Sequence, residues 1–376
     1  MKARFVDSIQ GIPRDAWNAL NTSGSPFLMH EFLSALELER CVGSGTGWMP
    51  HHLILEREGE LVAAMPLYLK DHSWGEFVFD WSWARAYTQA GIDYYPKLVS
   101  MTPFTPASGT RLLAPTPEAR RALTTALIEH AKATGASSAH VLFIDEGDRD
   151  ALNDGPFLWR KDCQFHWYNR GFRSFEEFVA TFRAEKRKKA LRERRKVAEG
   201  GVSYRTLHGA EMSADLWDLV FAFSSRTFEQ HGHEHYLTAG FFKRISAALP
   251  QAIMVKLAVL QDVPIAAAIF FRSRDTLYGR YWGAAANFDS LHFETCYYQG
   301  IEYCIQHGLN KFEPGTQGEH KVARGFEPTD TWSAHWIADA RFRRAIDRYL
   351  AEERTAIDEY SASVREHAPF RRERKE

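Results

Sequence analysis

The residues whose types and spacing could carry out chemistry are concentrated in one glycine-rich stretch, residues 313–326. Its sequence, EPGTQGEHKVARGF, interleaves carboxylates, a histidine and two cations with three glycines. Enzymes use these side-chain types as general acids, general bases and anion-binding groups. Glycine also lets a backbone turn sharply or approach a ligand closely. A solvated turn is the alternative interpretation, and the mixture of acid, base and cation favours a functional loop.

A second distinctive stretch, residues 183–196, carries nine cations against two acids, a local balance of +7. We expect this run to be helical and to end at Gly200-Gly201. A solvated helix face would explain such a run, but the excess of positive charge also suits phosphates or another polyanion. The cations that we predict to bind phosphate or a polyanion are Lys186, Arg187, Lys189 and Arg192.

Aromatic side chains are dense in residues 74–111, where polar residues, glycines and prolines lie among them. This composition is typical either of a core with a surface loop or of a binding cleft. We predict that five of these residues line one face of a substrate cleft: Asp80, Trp83, Tyr87, Tyr95 and Lys97.

A metal site is considered at His231-Gly-His-Glu-His235, because alternate histidines can bind a metal ion. These histidines fall in an expected loop with no cysteine nearby, so a polar loop is the preferred interpretation and no metal is predicted.

The composition limits the class of protein. A chain of 376 residues with 45% hydrophobic and 25% charged residues is expected to form about two soluble domains. A net charge of -1 means that any nucleic-acid binding must come from a local patch. The four cysteines form no CxxC pair, which favours a reducing compartment. No signal peptide or membrane-spanning run is recognisable, so we predict a cytoplasmic protein without an integral membrane segment.

The elements that must position these residues occur in a similar order twice. Hairpins are predicted over residues 52–69 and 254–271, followed by aromatic strands over 77–83 and 277–282. A helix ending at glycine and a further strand complete each half. This order predicts a duplicated α/β domain with mixed sheets. The predicted domains are 1-160 and 161-376, the second carrying the basic helix 183–196 and the loop 313–326. An apolar stripe in the helix before this loop, which includes Tyr297, is assigned to core packing.

Two longer segments carry a family resemblance. The first is GEFVFDWSWA at residues 75–84, continuing to 94–98 and 103–106; the second is HFETCYYQ at 292–299, continuing through 313–321 to 324–326. Together they resemble the FemAB-like family of predicted bacterial N-acyltransferases, often described as peptidoglycan biosynthesis or recognition proteins. The resemblance covers nearly the whole chain and adds His292, Glu294 and Tyr298 to the predicted substrate-binding residues.

The resemblance implies an α/β (α+β) fold of tandem GNAT-like domains, each a mixed, largely antiparallel sheet flanked by helices. Related Fem transferases carry aminoacyl groups from aminoacyl-tRNA to the peptidoglycan precursor and have a basic helix similar to residues 183–196. The pyrophosphate loop that ordinary GNAT enzymes use for coenzyme A is absent here. Acyl-CoA, acyl carrier protein and aminoacyl-tRNA therefore remain open as donors, and no tightly bound cofactor is expected. The expected acceptor is a small-molecule or cell-wall precursor amine, tRNA is a candidate partner, and the oligomeric state is open.

An N-acyltransferase must hold an amine beside an activated carbonyl, remove a proton and stabilise an oxyanion. No nucleophilic triad is recognisable, so direct attack by the amine is predicted. Glu319 or His320 is the predicted general base, and Glu313 is predicted to orient the amine. Within the same loop the predicted substrate-binding residues are Gln317, Lys321 and Arg324, and backbone N–H groups of Gly315 and Gly318 are predicted to face the oxyanion.

Two alternatives remain at this point. One is an aminoacyl-tRNA-dependent transferase that modifies a peptidoglycan precursor, for which the basic helix is the discriminating feature. The other is a non-catalytic binder that recognises cell-wall fragments through the aromatic cleft.

Overall fold

The computed structural model describes residues 1–286, 288–316 and 318–371, and the chain divides into two compact units. The first unit consists of Met1–Asp162 and Asp330–Glu359, and the second of Cys163–Thr329 and Tyr360–Glu376. The sequence-based boundaries give each domain one continuous segment. In the structure, by contrast, Asp330–Glu359 returns to the first unit.

The strands follow one another in three groups along the chain. The first group is β1 (Lys2–Val6), β2 (Trp48–Pro50), β3 (His52–Arg57), β4 (Glu60–Met65), β5 (Tyr68–Lys70), β6 (Lys97–Ser100) and β7 (Ser138–Ile144). The second group is β8 (Leu158–Tyr168), β9 (Val202–His208), β10 (Ile253–Leu260), β11 (Val263–Arg272), β12 (Thr276–Ala284) and β13 (Lys311–Glu313). The last strand is β14 (Glu327–Ile337).

The helices lie between these strands. Those before β8 are α1 (Arg14–Leu20), α2 (His30–Leu38), α3 (Trp81–Gln89), α4 (Pro117–Thr134) and α5 (Glu146–Asn153). Those after β8 are α6 (Phe175–Ala180), α7 (Ala184–Glu199), α8 (Ala214–Gln230), α9 (Ala239–Ala248), α10 (Leu291–Phe293), α11 (Gln299–Gln306) and α12 (Ala340–Glu366). Short 3₁₀ turns occur at Ile9–Gly11, Pro26–Leu28, Gly209–Glu211 and Glu319–Arg324, and one π-helical turn at Glu294–Tyr298.

In the first unit, β1, β3 and β4 form an antiparallel sheet, and β2, β5, β6, β7 and β14 form a second, mixed sheet. The parallel pair of the mixed sheet is β6 with β7, connected through α4. Helix α4 begins at a Thr116 cap and ends at Gly135, whose φ of 72° allows the left-handed turn. Its apolar face contributes Leu123 and Leu127 to a core that also contains Leu53 and Val141.

In the second unit, the strand order is β8, β13, β12, β11, β10 and β9. Strands β12 and β13 run parallel and are connected through α10 and α11. The other adjacent strands of this order pair antiparallel. Helix α11 packs closely on β13: a Cβ added at Gly300 would lie 2.5 Å from Cε1 of Phe312. The predicted mixed, largely antiparallel sheets flanked by helices are confirmed, and each unit contains one parallel pair crossed by a helix.

One predicted strand is wrong. Residues 77–83 do not form a strand, because helix α3 begins at Trp81. Its inward positions Trp83 and Tyr87 are four residues apart, which places both on one helix face, and both are buried. The aromatic residues over 77–83 were interpreted as a strand, whereas the run from Trp81 onwards has helical spacing.

Within the ranges that the structure describes, no helix has both the length and the apolar character needed to cross a bilayer.

Candidate active site

The second unit contains an opening where its two parallel strands separate. Strand β13 pairs with β12 over Lys311–Glu313 only, whereas β12 continues to Ala284. The chain leaves β13 at Pro314, close to Gly279, so the later part of β12 has no pairing with β13. We name this opening the wedge; its volume is about 140 Å³. The polar and ring-bearing residues that line it are Phe270, Arg280, Tyr281, Trp282, His292, Cys296 and Tyr297.

A β-bulge places Arg280 beside the wedge. In the pairing of β11 with β12, Ile269 opposes Tyr281 and Phe270 opposes Gly279, so Arg280 is the extra residue. A bulge changes the direction of a side chain and is common next to active sites. Arg280 therefore lines the wedge at an irregularity of the strand, with its guanidinium 5.4 Å from the ring centre of Tyr281.

The helical segment after β12 supplies the opposite wall. Between α10 and α11 the backbone forms the π-helical turn Glu294–Tyr298, an insertion that often accompanies functional sites. His292 lies just before this turn, and burial together with the charges of His320 and Arg324 lowers its pKa to about 4. Burial raises the pKa of Cys296 well above its ordinary value. At neutral pH the wedge is therefore bordered by a neutral imidazole and a neutral thiol.

The loop predicted to carry the chemistry closes over this wall as a 3₁₀ turn. Gly318 and Gly325 flank Glu319–Arg324, and both have φ in the left-handed region, 103° and 89°. The imidazole of His320 lies over Gly318, where a Cβ would be 2.5 Å from its Cε1. The Nε2 atom of His320 is 2.9 Å from the Tyr297 hydroxyl oxygen. Burial and the nearby charges of Lys321 and Arg324 lower the pKa of His320, so its ring is neutral at pH 7.

Lys321 is the most unusual ionisable group of this loop. Its side chain is 2% exposed, and its ammonium donates hydrogen bonds to the carbonyl oxygens of Gly315, at 2.8 Å, and Thr316, at 3.0 Å. No carboxylate among the residues that the structure describes forms an ion pair with it. Burial lowers the pKa of Lys321 to about 7. A buried cation without a counter-ion is costly and is a common mark of a functional site.

Arg324 belongs to an internal network. It donates to the Glu193 carboxylate at 2.9 Å and to the His320 carbonyl at 2.7 Å, and it covers the Phe293 ring at 3.3 Å. The hydroxyl of Tyr298 donates to the other oxygen of Glu193 at 2.7 Å. Glu193 lies on the inner face of α7, so it joins the basic helix to the loop.

The remaining predicted residues of this unit lie at different depths. Glu313 is buried at the end of β13, 2.6 Å from Lys311. Glu319 is exposed. Glu294 is buried and paired with Arg194, at 3.1 Å. Gln317 lies outside the described residues.

The cations predicted to bind a polyanion are carried by α7. Lys189 and Arg192 are exposed, and Lys186 and Arg187 are half-buried. None of these four forms an ion pair with a carboxylate within the described part of the chain. The inward face of the helix is formed by Ala190, Glu193 and Val197.

The five predicted residues of the first unit form a buried set. Asp80 and Lys97 are 2% and 0% exposed and form an ion pair, and Lys97 also contacts Glu76 at 2.8 Å. Burial alone would raise the pKa of Asp80, but the charge of Lys97 lowers it below its ordinary range. Burial raises the pKa of Glu76 to about 7.

The aromatic members of this set pack around the same network. Trp83 and Tyr87 are buried with Tyr94, and the half-buried Tyr95 hydroxyl is 2.9 Å from Oγ of Ser73. The structure therefore brings Asp80, Lys97 and Tyr95 together around Ser73, while Trp83 and Tyr87 contribute to apolar packing.

No group of three or more metal-ligating side chains is arranged for a metal ion in residues 1–286, 288–316 and 318–371. His235 is enclosed by rings, including Phe228 at 4.2 Å and Tyr281 at 4.9 Å.

Three residues of this region were not singled out as functional from the sequence: Arg280, Tyr297 and Glu193. The bulge that directs Arg280 has no recognisable sequence signature. Tyr297 was assigned to core packing, which its 4% exposure confirms, but its hydroxyl reaches His320. Glu193 was counted only as an acid that reduces the charge of a basic run.

The fold is shared with several solved structures. The crystal structure of FemX has a TM-score of 0.56 at 12% identity, with 92% of this chain and 100% of that chain covered. The C-terminal domain (DUF2156) of a putative lysylphosphatidylglycerol synthetase from Agrobacterium fabrum gives 0.56 at 10% identity, covering 88% and 94%. L-PGS from Bacillus licheniformis gives 0.53 at 8% identity, covering 85% and 96%. At these identities the likeness shows a common fold.

The family follows from the sequence itself. Residues 8–372 match the FemAB-like family, described as peptidoglycan biosynthesis/recognition, and the chain belongs to this family. The resemblance seen in the two sequence segments is thus confirmed over nearly the whole chain. No curated protein matches the sequence significantly.

Proposed function

We propose that this protein transfers an acyl or aminoacyl group from an activated donor to an amine by direct attack, with the wedge as the place of reaction. The observation that carries the proposal is Lys321, a buried amine without a carboxylate partner in the described chain, whose charge acts on wedge residues His292 and Cys296. Membership of a family described as peptidoglycan biosynthesis/recognition supports a transferase acting on a cell-wall precursor amine.

The residues divide the chemistry between them. His320, neutral at pH 7 and held by Tyr297, accepts the proton as the amine nitrogen bonds to the carbonyl carbon. Lys321 uses two of its protons for the carbonyls of Gly315 and Thr316, and its third stabilises the oxyanion. When the intermediate collapses, the bond to the donor oxygen or sulfur breaks and His320 returns the proton to that leaving group. Glu319 is the alternative base, and Glu313 orients the amine.

The test is a mass-spectrometric search for the acylated amine. The protein is incubated with a cell-wall precursor amine and, separately, with acyl-CoA, acylated carrier protein or aminoacyl-tRNA. Lys321→Met and His320→Ala are expected to lower product formation by about 10²-fold or more, the usual effect of losing an oxyanion donor or a general base. Lys243→Met, on the surface of α9, is the matched control and is expected to be active. Full activity of both loop variants would remove the loop from the mechanism.

A second candidate, in which aminoacyl-tRNA is the donor, is favoured by α7. Its exposed cations Arg195 and Lys196 pair with carboxylates. The predicted polyanion-binding cations have no carboxylate partner among the described residues, so they are available for a phosphate backbone: Lys186, Arg187, Lys189 and Arg192. The donor affinity should then fall steeply as salt is raised, and ribonuclease should stop the reaction. Lys189→Gln combined with Arg192→Gln should weaken tRNA binding and reduce the salt dependence by about two charges. Turnover with acyl-CoA alone, insensitive to salt and ribonuclease, would contradict this candidate.

A further inference from the structure

A cavity in the second unit, separate in its lining from the wedge, is bounded mainly by aromatic rings. Its volume is about 540 Å³, which is in the range of small-molecule sites. Rings that form its walls belong to Trp167, Phe172, Phe178 and Phe370. They pack on one another, with ring centres of Phe172 and Phe178 5.4 Å apart and those of Trp167 and Phe178 5.7 Å apart. We name this space the aromatic cavity.

The acidic side chains at the edge of the aromatic cavity already have partners. Arg170 and Glu327 form an ion pair at 2.6 Å, and Glu177 pairs with Arg173 at 2.5 Å. The indole N–H of Trp167 has no hydrogen-bond partner among the described residues. Apart from this one donor, the cavity offers mainly apolar contact rather than directed hydrogen bonds. A sugar or nucleobase would leave its polar groups unpaired there, whereas a hydrocarbon chain has none to satisfy.

One cation at the edge remains available. The backbone N–H of Arg371 donates to the Thr181 carbonyl at 2.9 Å, and its Nε donates to the Phe182 carbonyl at 3.2 Å. Within the described residues no carboxylate pairs with its guanidinium. The two terminal nitrogens can therefore bind a carboxylate or a phosphate at the mouth.

The cavity also touches the loop of the candidate site. Gly325, the residue after Arg324, forms part of the cavity wall, and a Cβ at this position would lie 2.5 Å from Cζ of Phe178. Gly325 has a φ of 89°, a conformation that favours glycine. An occupant of the cavity would thus contact the carboxyl end of the loop whose other end borders the wedge at Pro314.

We propose that the aromatic cavity binds a linear alkyl chain with an anionic head group, the chain against Trp167, Phe172 and Phe370 and the head on Arg371. The ligand class is a fatty acid or an alkyl phosphate, including the lipid part of a larger molecule. This inference concerns binding and goes beyond the proposed transfer reaction, so its test needs no turnover.

The test is calorimetric titration of the full-length protein with decanoate, decyl phosphate and, as the neutral control, decanol, all as monomers in solution. The structure offers a variant that fills the cavity without removing any packing: Ala180→Trp, on the exposed side of α6. Ala222→Trp, an equally exposed alanine on α8, is its matched control. Arg371→Gln tests the head-group contact. Melting temperatures of all variants establish that they fold.

The wild type should bind one molecule of at least one anionic probe saturably. Ala180→Trp should weaken binding by about tenfold or more, while Ala222→Trp should leave it unchanged. Arg371→Gln should lower the affinity for the anionic probe and leave the affinity for decanol unchanged. Comparison of decanoate with decyl phosphate distinguishes a fatty acid from a phosphate head. Absence of saturable binding, or binding by Ala180→Trp equal to that of the wild type, would overturn the proposal; so would an Arg371→Gln variant that keeps full affinity for both anions.

Discussion

At the residue scale, His320 and Lys321 have opposite requirements in the proposed reaction. His320 must be neutral to accept a proton, and its pKa is lowered from the ordinary value by burial and neighbouring cations. Lys321 must be protonated to stabilise an oxyanion, and burial lowers its pKa to about 7. Neutral His320 and protonated Lys321 therefore occur together only over a limited range of pH.

This pair predicts a narrow bell-shaped pH profile of kcat/KM for the wild type. The acid limb reports His320 and the alkaline limb begins near pH 7, where Lys321 loses its proton. Lys321→Arg should extend activity to higher pH, because a guanidinium keeps its charge. Lys243→Arg is the matched control and should keep the wild-type profile. A wild-type rate that keeps rising well above pH 7 would show that protonated Lys321 is not required.

Lys321 also predicts a stability effect that is independent of activity. Its pKa is about 7 in the folded protein and 10.5 in the reference state, so between these values the unfolded chain binds more protons. The contribution of Lys321 to the free energy of unfolding therefore rises with pH between about pH 7 and pH 10.5, and it is lowest below pH 7. Relative to Lys321→Met, the wild type should gain free energy of unfolding by up to about 1.4 kcal/mol per pH unit, measured by denaturant titration. A difference that does not change with pH would mean that Lys321 is not buried as a titrating group.

At the element scale, the basic helix has two faces with different tasks. The four outer cations of α7 predicted to bind a polyanion are unpaired among the described carboxylates, whereas Glu193 on its inner face holds Arg324 and Tyr298. Helix position and loop position are thus linked through one carboxylate. This link assigns Glu193 the role of a positioning residue, which does not touch the reacting atoms.

Glu193→Gln should keep the shape of this contact and remove its charge. Because Arg324 would remain buried without its counter-ion, we expect a loss of about 2–4 kcal/mol in unfolding free energy. Catalysis should fall mainly in kcat, since the loop carrying His320 and Lys321 is held by Arg324. Glu199→Gln, on the exposed end of the same helix, is the control and should change both quantities little. An unchanged kcat in a folded Glu193→Gln protein would contradict the positioning role.

The sequence allowed this loop to be predicted better than the wedge beside it. Glycines at 315, 318 and 325 indicated an irregular backbone, and all three have positive φ. The wedge depends on where β13 ends, on the bulge at Arg280 and on the π-helical turn. The bulge and the π-helical turn are each a shift of one residue in register or helical phase, which tertiary packing decides and local composition does not encode.

At the scale of the whole molecule, the duplication could be predicted from the sequence because each half repeats a hairpin, a helix and a further strand. Strand pairs β3–β4 and β10–β11 form where the two hairpins were predicted. The parallel pairs β6–β7 and β12–β13 also repeat between the units, although the strand predicted at 77–83 is absent and β6 was not predicted. The return of Asp330–Glu359 to the first unit could not be predicted from the sequence. Local periodicity indicates that a face of a late strand or helix is apolar, but it does not indicate which of the two cores that face will join.

The first unit carries a buried ion network that makes a prediction for the stability of the whole chain. Asp80→Ala would leave Lys97 with one carboxylate, Glu76, and would remove the acceptor 2.6 Å from the Tyr94 hydroxyl. Removing one partner from a buried ion pair costs about 3–5 kcal/mol, which we expect as the loss in unfolding free energy at pH 7. Asp71→Ala, with a side chain 73% exposed in the same segment, is the control and should change stability by less than about 0.5 kcal/mol.

The pH dependence of this loss separates ion pairing from simple packing. Lys97 depresses the pKa of Asp80 in the folded state, against the effect of burial, so the stabilisation is fully present above the ordinary pKa and is lost as pH falls through the folded value. The charge of Asp80 also helps to raise the pKa of Glu76 to about 7, so titration of Glu76 contributes to the difference between the wild type and Asp80→Ala around that pH. Below about pH 5 the remaining difference should shrink as Asp80 itself is protonated. If Asp80 instead serves mainly to bind substrate, as the sequence predicted, the variant should lose affinity while its unfolding free energy stays close to that of the wild type. Denaturant titrations with and without substrate distinguish these two roles of Asp80. If Asp80 stabilises the fold, the variant has a lower free energy of unfolding at every substrate concentration. If Asp80 binds substrate, only the additional stabilisation by substrate is reduced.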